Sequence, residues 1–197
     1  MGNNKSTVTS RYLLFVGVGS FFLAILFTLL AETFSSKLNN IVLSLFFLLF
    51  IIFINIVADV VGTAVTAASH VPFNAKAAKR VEGASNGLQL IRNADKVANI
   101  ANDVIGDITT TVSGALGISI VVQVLRAGLQ FDQFWLNVLF TALISVTIVT
   151  GKAAGKKIAL SHPEEVIFMV GKFLARLERV TGYSPFQKRR IKSKKGG

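Results

Sequence analysis

The sequence predicts an all-α integral membrane protein with about four transmembrane helices, and three observations carry that reading. Apolar residues make up 52% of the 197-residue chain and charged residues only 16%. The apolar residues are gathered into long runs, and roughly 20 in succession is the length at which a helix crosses the hydrocarbon of a bilayer. The positive charge is also unevenly placed, with Lys76, Lys79, Arg80, Arg92 and Lys96 between the second and third runs and twelve more Lys and Arg after the fourth. The alternate loops hold Lys37 and Arg126. By the positive-inside rule both termini and the middle segment are cytoplasmic, which agrees with four crossings and a multi-pass place in the cell membrane.

The first span covers residues 12–30 (YLLFVGVGSFFLAILFTLL). A signal peptide with Lys5 and Arg11 as its n-region is the competing reading, but the run is long for an h-region and AETFSSKL is a poor cleavage site. The start MGNNKS fits a myristoylation pattern, which adds little to a chain that already has spans. The second span covers 41–68, almost pure hydrocarbon at first and then small and polar around Asp59, with Pro72 expected to end the helix. Residues 73–96 read as a helical pair broken near 83–87 and lying along the headgroups, or alternatively as a solvated loop. The third span, 97–125, is the least apolar, and the fourth covers 134–150. Pro163 followed by Glu164 and Glu165 makes a good first helical turn, so a last helix with one apolar face is predicted to about residue 179. The organisation expected is an N-terminal segment with an extra span (1–40), a membrane domain with juxtamembrane helices (41–180) and a basic disordered tail (181–197).

The formal charge of +11 would suit a phosphate backbone. However, it sits beside the apolar runs and in the tail, where it meets the lipid bilayer and its anionic headgroups, and the aromatics offer no stacking platform. No nucleic-acid partner is expected. The chain has no cysteine, which removes thiolate metal sites and thiol nucleophiles. His70 and His162 stand far apart at span borders without ligand or triad spacing. GKAAGKK (151–157) has the outline of a phosphate loop but lacks one spacer and the Ser/Thr. No catalytic constellation assembles, and an enzyme is not expected.

Three carboxylates fall within or at the edge of predicted spans: Asp59, Asp103 and Asp107. A charge at mid-bilayer costs roughly 3 kcal/mol on insertion scales, so such residues face a partner or an aqueous path. Asp103 and Asp107 are four apart and share a helical face, bordered by Asn99, Thr110, Thr111 and Gly114. Oxygen ligands at this density suit a hard cation, Mg²⁺ or Na⁺. The other readings are structural: small residues promote close helix packing, a carboxylate pairs with Lys152, or Asp103 and Asp107 sit shallow, near the headgroups.

Several motifs of residues 41–177 resemble the transmembrane domain of the cyclin M / CorC family of magnesium transport proteins. Thr63-Ala64-Val65-Thr66 falls in register with the T-A-L/F-T of the family's first span, placing Asp59 on its serine and Gly62 on its glutamate. Glu82-Gly83 and Asn93-Ala94-Asp95-Lys96 resemble the connecting segment, and Ile100-Ala101-Asn102-Asp103 echoes I-G-N-T. Gly151-Lys152-Ala153-Ala154-Gly155-Lys156, then Ile158-Ala159-Leu160-Ser161-His162-Pro163-Glu164, resembles G-E-I-x-P-K followed by I-A-L-x-N-P-E. Both family glutamates are replaced, by Gly62 and by Lys152.

The resemblance implies a homodimer with one cation site drawn from all three family spans, here a short form without the nucleotide-binding CBS modules. The expected ligands are Asp59, Thr63, Asn102, Asp103 and Asp107, with Lys152 as a tethered counter-ion. The expected function is Mg²⁺ transport or binding, with Na⁺ as the coupling or alternative ion. The alternative is a membrane scaffold that keeps the fold and has lost the site.

Overall fold

The computed structural model describes residues 10–38, 40–128 and 131–182, and all regular structure among them is helical. Residues 183–197 of the basic tail and the MGNNKS start lie outside the described residues, while Thr181 and Gly182 close the last helix. Four helical stretches are long and apolar enough to cross a membrane: Leu13–Ala31, Ile41–Ala67, Ala94–Arg126 and Gln133–Ser161. This is the architecture of a multi-pass membrane protein. Its surface is apolar where a soluble protein's would be polar, with Phe46, Phe53, Leu139 and Val149 all exposed on the long helices.

Helix α1 is Ser10–Leu38 and α2 is Ile41–Ala67. Asn40 starts α2 sharply, its Oδ1 accepting from the backbone N–H of Val42 at 3.0 Å and satisfying a donor that the first turn leaves without an intrahelical partner. The helix ends before Pro72. Extended backbone at Ala68 and Ser69 breaks the chain, and Pro72 instead sits in the first turn of α3, His70–Ala78, where a missing N–H is harmless. The break after α3 falls at residues 79–83, just ahead of where the sequence suggested, and α4 runs Ala84–Arg92. The solvated-loop alternative for this segment is not what the structure holds.

The third long stretch is composite: α5 Ala94–Ala98, a π-helical segment Asn99–Ile105, and α6 Gly106–Arg126. Helix α7, Gln133–Ser161, is capped by Asp132, which accepts from the N–H of Phe134 at 2.8 Å. It continues for eleven residues past the span predicted to end at 150, because its Ala- and Lys-rich end holds good helix formers. A kink at His162 leads into α8, Pro163–Thr181, with the proline in its first turn and Gly182 left-handed at its end.

Helix α2 is central, packed on both α6 and α7, while α1 lies against α6. Two apolar clusters result. The larger joins Leu48, Ile51 and Ile52 of α2 to Val104, Val112, Leu116, Ile120, Ile144 and Ile148. The smaller joins Ala64 and Val65 to Phe73, Leu88, Ile91, Ala159 and Ile167, seating α3, α4 and α8 on the end of α2. Residues 55–62 of α2 run between these clusters, and there the interior turns polar.

Candidate functional site

The polar layer exists because glycines let the helices approach. On α7, a side chain at Gly151 would strike Ile56, and one at Gly155 would strike Val60, so this Gly-x-x-x-Gly face lies directly on α2. Lys152 and Lys156, each next to one of these glycines, are thereby brought to either side of Asp59. On the opposite flank, the side-chain amide of Asn102 occupies the space where Gly62 would carry a Cβ. Asn102 belongs to the π-helical segment, whose wider turn is a feature that recurs at functional sites.

Asn55 anchors one end of the layer and is fully buried. Its Nδ2 donates to the Gly106 carbonyl at 3.2 Å and to Thr110 Oγ1 at 2.7 Å. Thr110 Oγ1 in turn donates to the same carbonyl at 2.8 Å. Both amide protons of Asn55 are thus committed, while its Oδ1 is buried with no donor. One turn further along α2, Asp59 is 4% exposed. Lys152 Nζ lies 3.9 Å from its Oδ1 and Lys156 Nζ 3.9 Å from its Oδ2. These are Coulombic contacts beyond hydrogen-bond reach, and Oδ2 is a second buried acceptor without a donor. Asn102 Oδ1 is a third.

Lys152 is the hub. A Cβ on Gly106 would stand 3.5 Å from its Nζ and 3.9 Å from Asn55 Oδ1, so ammonium, amide oxygen and carboxylate border one small region. Buried polar atoms are almost always paired. Two unpaired acceptors, Asn55 Oδ1 and Asp59 Oδ2, beside an ammonium held just beyond bonding distance describe a place suited to a positively charged or hydrogen-donating occupant, and the third, Asn102 Oδ1, lies further along α2 at Gly62.

The five residues expected as ligands are not gathered together. Asp59 and Asn102 lie in the layer, on facing helices. Thr63, four residues on from Asp59 in α2, is half-buried, with its carbonyl accepting from Thr66 Oγ1 at 2.8 Å. Asp103 and Asp107 are exposed on the outer side of their helix, Asp103 accepting from Asn99 Nδ2 at 2.6 Å. Among the described residues no group of three or more acidic or histidine side chains is placed to hold a metal. Lys152 stands beside Asp59 as the sequence suggested it could.

Asn55 and Lys156 escaped the sequence reading. The first could have been found as the lone amide inside IIFINIVAD, and the second as the residue four on from Lys152. In comparisons with protein-family models, curated proteins and solved structures, the chain finds no match.

Proposed function

We propose that this chain is a multi-pass membrane protein that binds a hard cation, Mg²⁺ or Na⁺, in the layer around Asp59 and passes it across the bilayer. The observation that carries this reading is the pair of buried acceptors without donors one turn apart on α2, Asn55 Oδ1 and Asp59 Oδ2, with a third, Asn102 Oδ1, further along the same layer at Gly62. Carboxylate and amide oxygens are the ligands that hard cations take. Their position between two apolar clusters is where a transported ion would be held out of contact with either side.

Lys152 gives the site its logic. Without a cation its ammonium, together with that of Lys156, balances Asp59; a bound cation adds further positive charge beside both, so Lys152, the less exposed of the two, has to withdraw. The ion and the lysine therefore compete. The resemblance to the cyclin M / CorC transmembrane domain supports the same location, since Asp59, Gly62, Asn102 and Lys152 are the positions it aligns with family ligands, and these meet in pairs here.

The test is Mg²⁺ and Na⁺ flux in proteoliposomes, wild type beside Asp59→Asn and Asp107→Asn. Flux that vanishes in Asp59→Asn and persists in Asp107→Asn is the expected result. A second reading, a non-transporting scaffold, is favoured by the two ammonium groups that already balance Asp59. Absence of flux in correctly inserted wild-type protein would select it.

A further inference from the structure

Helix α8 carries two apolar faces, and the fold covers only one of them. Ile167, Gly171 and Leu174 turn toward α4 and the end of α2, with Ile167 0% exposed. Met169, Phe173, Leu177 and Val180 are spaced by four, four and three residues, so they form a second stripe. It stands two residues out of step with the first, about 200° round the helix. Met169 is 71% exposed, Phe173 63% and Val180 86%, which is more than scattered apolar residues on a surface. Lys172, Arg176 and Arg179 repeat the spacing along one edge of this stripe, and all three are exposed; Glu165, in the first turn, is the exposed acid on that edge. Arg179 is held by Glu82 at 2.7 Å, while the ion pairs among the described residues leave Lys172 and Arg176 out. Lys172 Nζ stands 4.5 Å from the centroid of the Phe168 ring, and Lys76 Nζ of α3 stands 4.2 Å from the same centroid. Two ammonium groups from different helices thus converge on one ring. The level of α8 is set by its inner face. Ile167 shares a cluster with Ala64 and Val65 in the last turn of α2 and with Ala159 near the end of α7, so α8 starts where two long helices end. The turn at His162 leaves no linker, and Ile158 and Leu160 just before it are still exposed apolar residues of α7.

We infer that α8 is an interfacial helix, its outer stripe sunk into the headgroup–acyl boundary of the bilayer that the long helices cross, with Lys76, Lys172 and Arg176 on the phosphates of anionic lipids. The inference rests on reading those helices as spans, though not on a cation at Asp59. An amphipathic helix with Phe, Leu and Met on one side and Lys or Arg beside them is the form that lies in such a boundary. The apolar stems of Lys172 and Arg176 border the stripe while their charged heads reach outward to the phosphates. The bilayer supplies apolar depth and negative charge together, at the level where α8 begins. A second copy of this chain would instead bring its own row of cations and its share of a formal charge of +11.

The test uses the full chain in nanodiscs, and the absence of native cysteine allows a single label. A fluorophore on Phe173→Cys, an exposed position outside the core, is expected to be quenched by lipids carrying a nitroxide high on the acyl chain and shielded from iodide in the water. With a donor dye at the same cysteine, acceptor-labelled phosphatidylserine should be enriched at the helix over acceptor-labelled phosphatidylcholine by about fivefold or more, the preference that one basic residue near the surface supplies. Lys76→Gln, Lys172→Gln and Arg176→Gln together should remove that enrichment and leave the nitroxide quenching in place, because the apolar stripe is intact. Iodide quenching without nitroxide quenching would overturn the inference, and so would equal enrichment of the two lipids around the wild-type cation row. A disulfide forming between two copies of Phe173→Cys would also overturn it, by putting a second copy on the face. Failure of the span reading is seen separately, as labelling of Ala142→Cys by a membrane-impermeant maleimide.

Discussion

Replacing Lys152 with Met tests the site most directly, because it removes the ammonium and keeps most of the apolar stem. At 3.9 Å and an effective dielectric of about 20, the Lys152–Asp59 attraction is roughly 4 kcal/mol. Lys152 retains 24% side-chain exposure against 6% for Asp59, so solvent trims that figure. Lys156 remains at 3.9 Å but is 54% exposed, and such a screened pair compensates little. A net loss of about 2–3 kcal/mol follows, near the lower end of what breaking a buried pair costs. For a chain of this size that is a fall in melting temperature of about 5–10 °C.

The decisive part is recovery of the lost stability. A cation at 100 times its Kd returns about 2.7 kcal/mol by mass action, which matches the loss. Thermal unfolding of Lys152→Met in detergent, titrated with Mg²⁺ and separately with Na⁺, should therefore restore the wild-type midpoint, and the variant should bind the ion more tightly than the wild type. An unchanged midpoint without cation would refute the electrostatic role of Lys152. A lowered midpoint that neither ion restores would refute the cation site and leave only a structural pair.

Two further outcomes follow from the packing. Gly171→Ala would push a methyl into the Gly83 carbonyl and the Gly87 backbone, with no flexible side chain able to yield; it should cost about 3 kcal/mol and loosen α8 from α4, read as faster amide exchange in both. Asn55→Leu keeps the volume but gives up the bonds to Gly106 and Thr110, while Gly106 O still accepts from Thr109 Oγ1 at 3.0 Å. Its stability should thus fall by only about 1 kcal/mol, whereas cation-dependent stabilisation should disappear, and equal loss of both would remove Asn55 from the site.

The long helices were legible in the sequence because hydrocarbon length and turn chemistry act locally. Pro163 marks a start that needs no tertiary knowledge, and Asn40 and Asp132, which the sequence reading passed over, cap two more. The extent of α7 was not legible from hydropathy, since GKAAGKKIAL is polar enough to resemble a loop yet rich in helix formers. Gly151 and Gly155 held the missing information: their spacing marks a helix-packing face, and that face is what sets Lys152 and Lys156 around Asp59.

The third helix shows why a polar stripe cannot be assigned to the interior by charge alone. It carries two such stripes side by side, Asn102, Gly106, Thr109 and Ser113 on one, and Asp103, Asp107 and Thr111 on the next. The sequence reading turned the charged stripe inward, following the rule that intramembrane carboxylates avoid lipid. The structure turns the small, neutral stripe inward: Gly106, Thr109 and Ser113 are buried, and Asn102 fills the gap at Gly62. Close approach to α2 decides this, because only residues of that size admit the contacts seen at Asn55 and Gly62. The threonine and serine hydroxyls satisfy themselves on carbonyls of their own helix, at 2.7 Å for both Thr109 on Ile105 and Ser113 on Thr109. Sealing the neutral stripe thus needs no outside partner. The same rotation leaves Asp103 and Asp107 on the outside, where Asp103 accepts from Asn99 Nδ2 on its own helix.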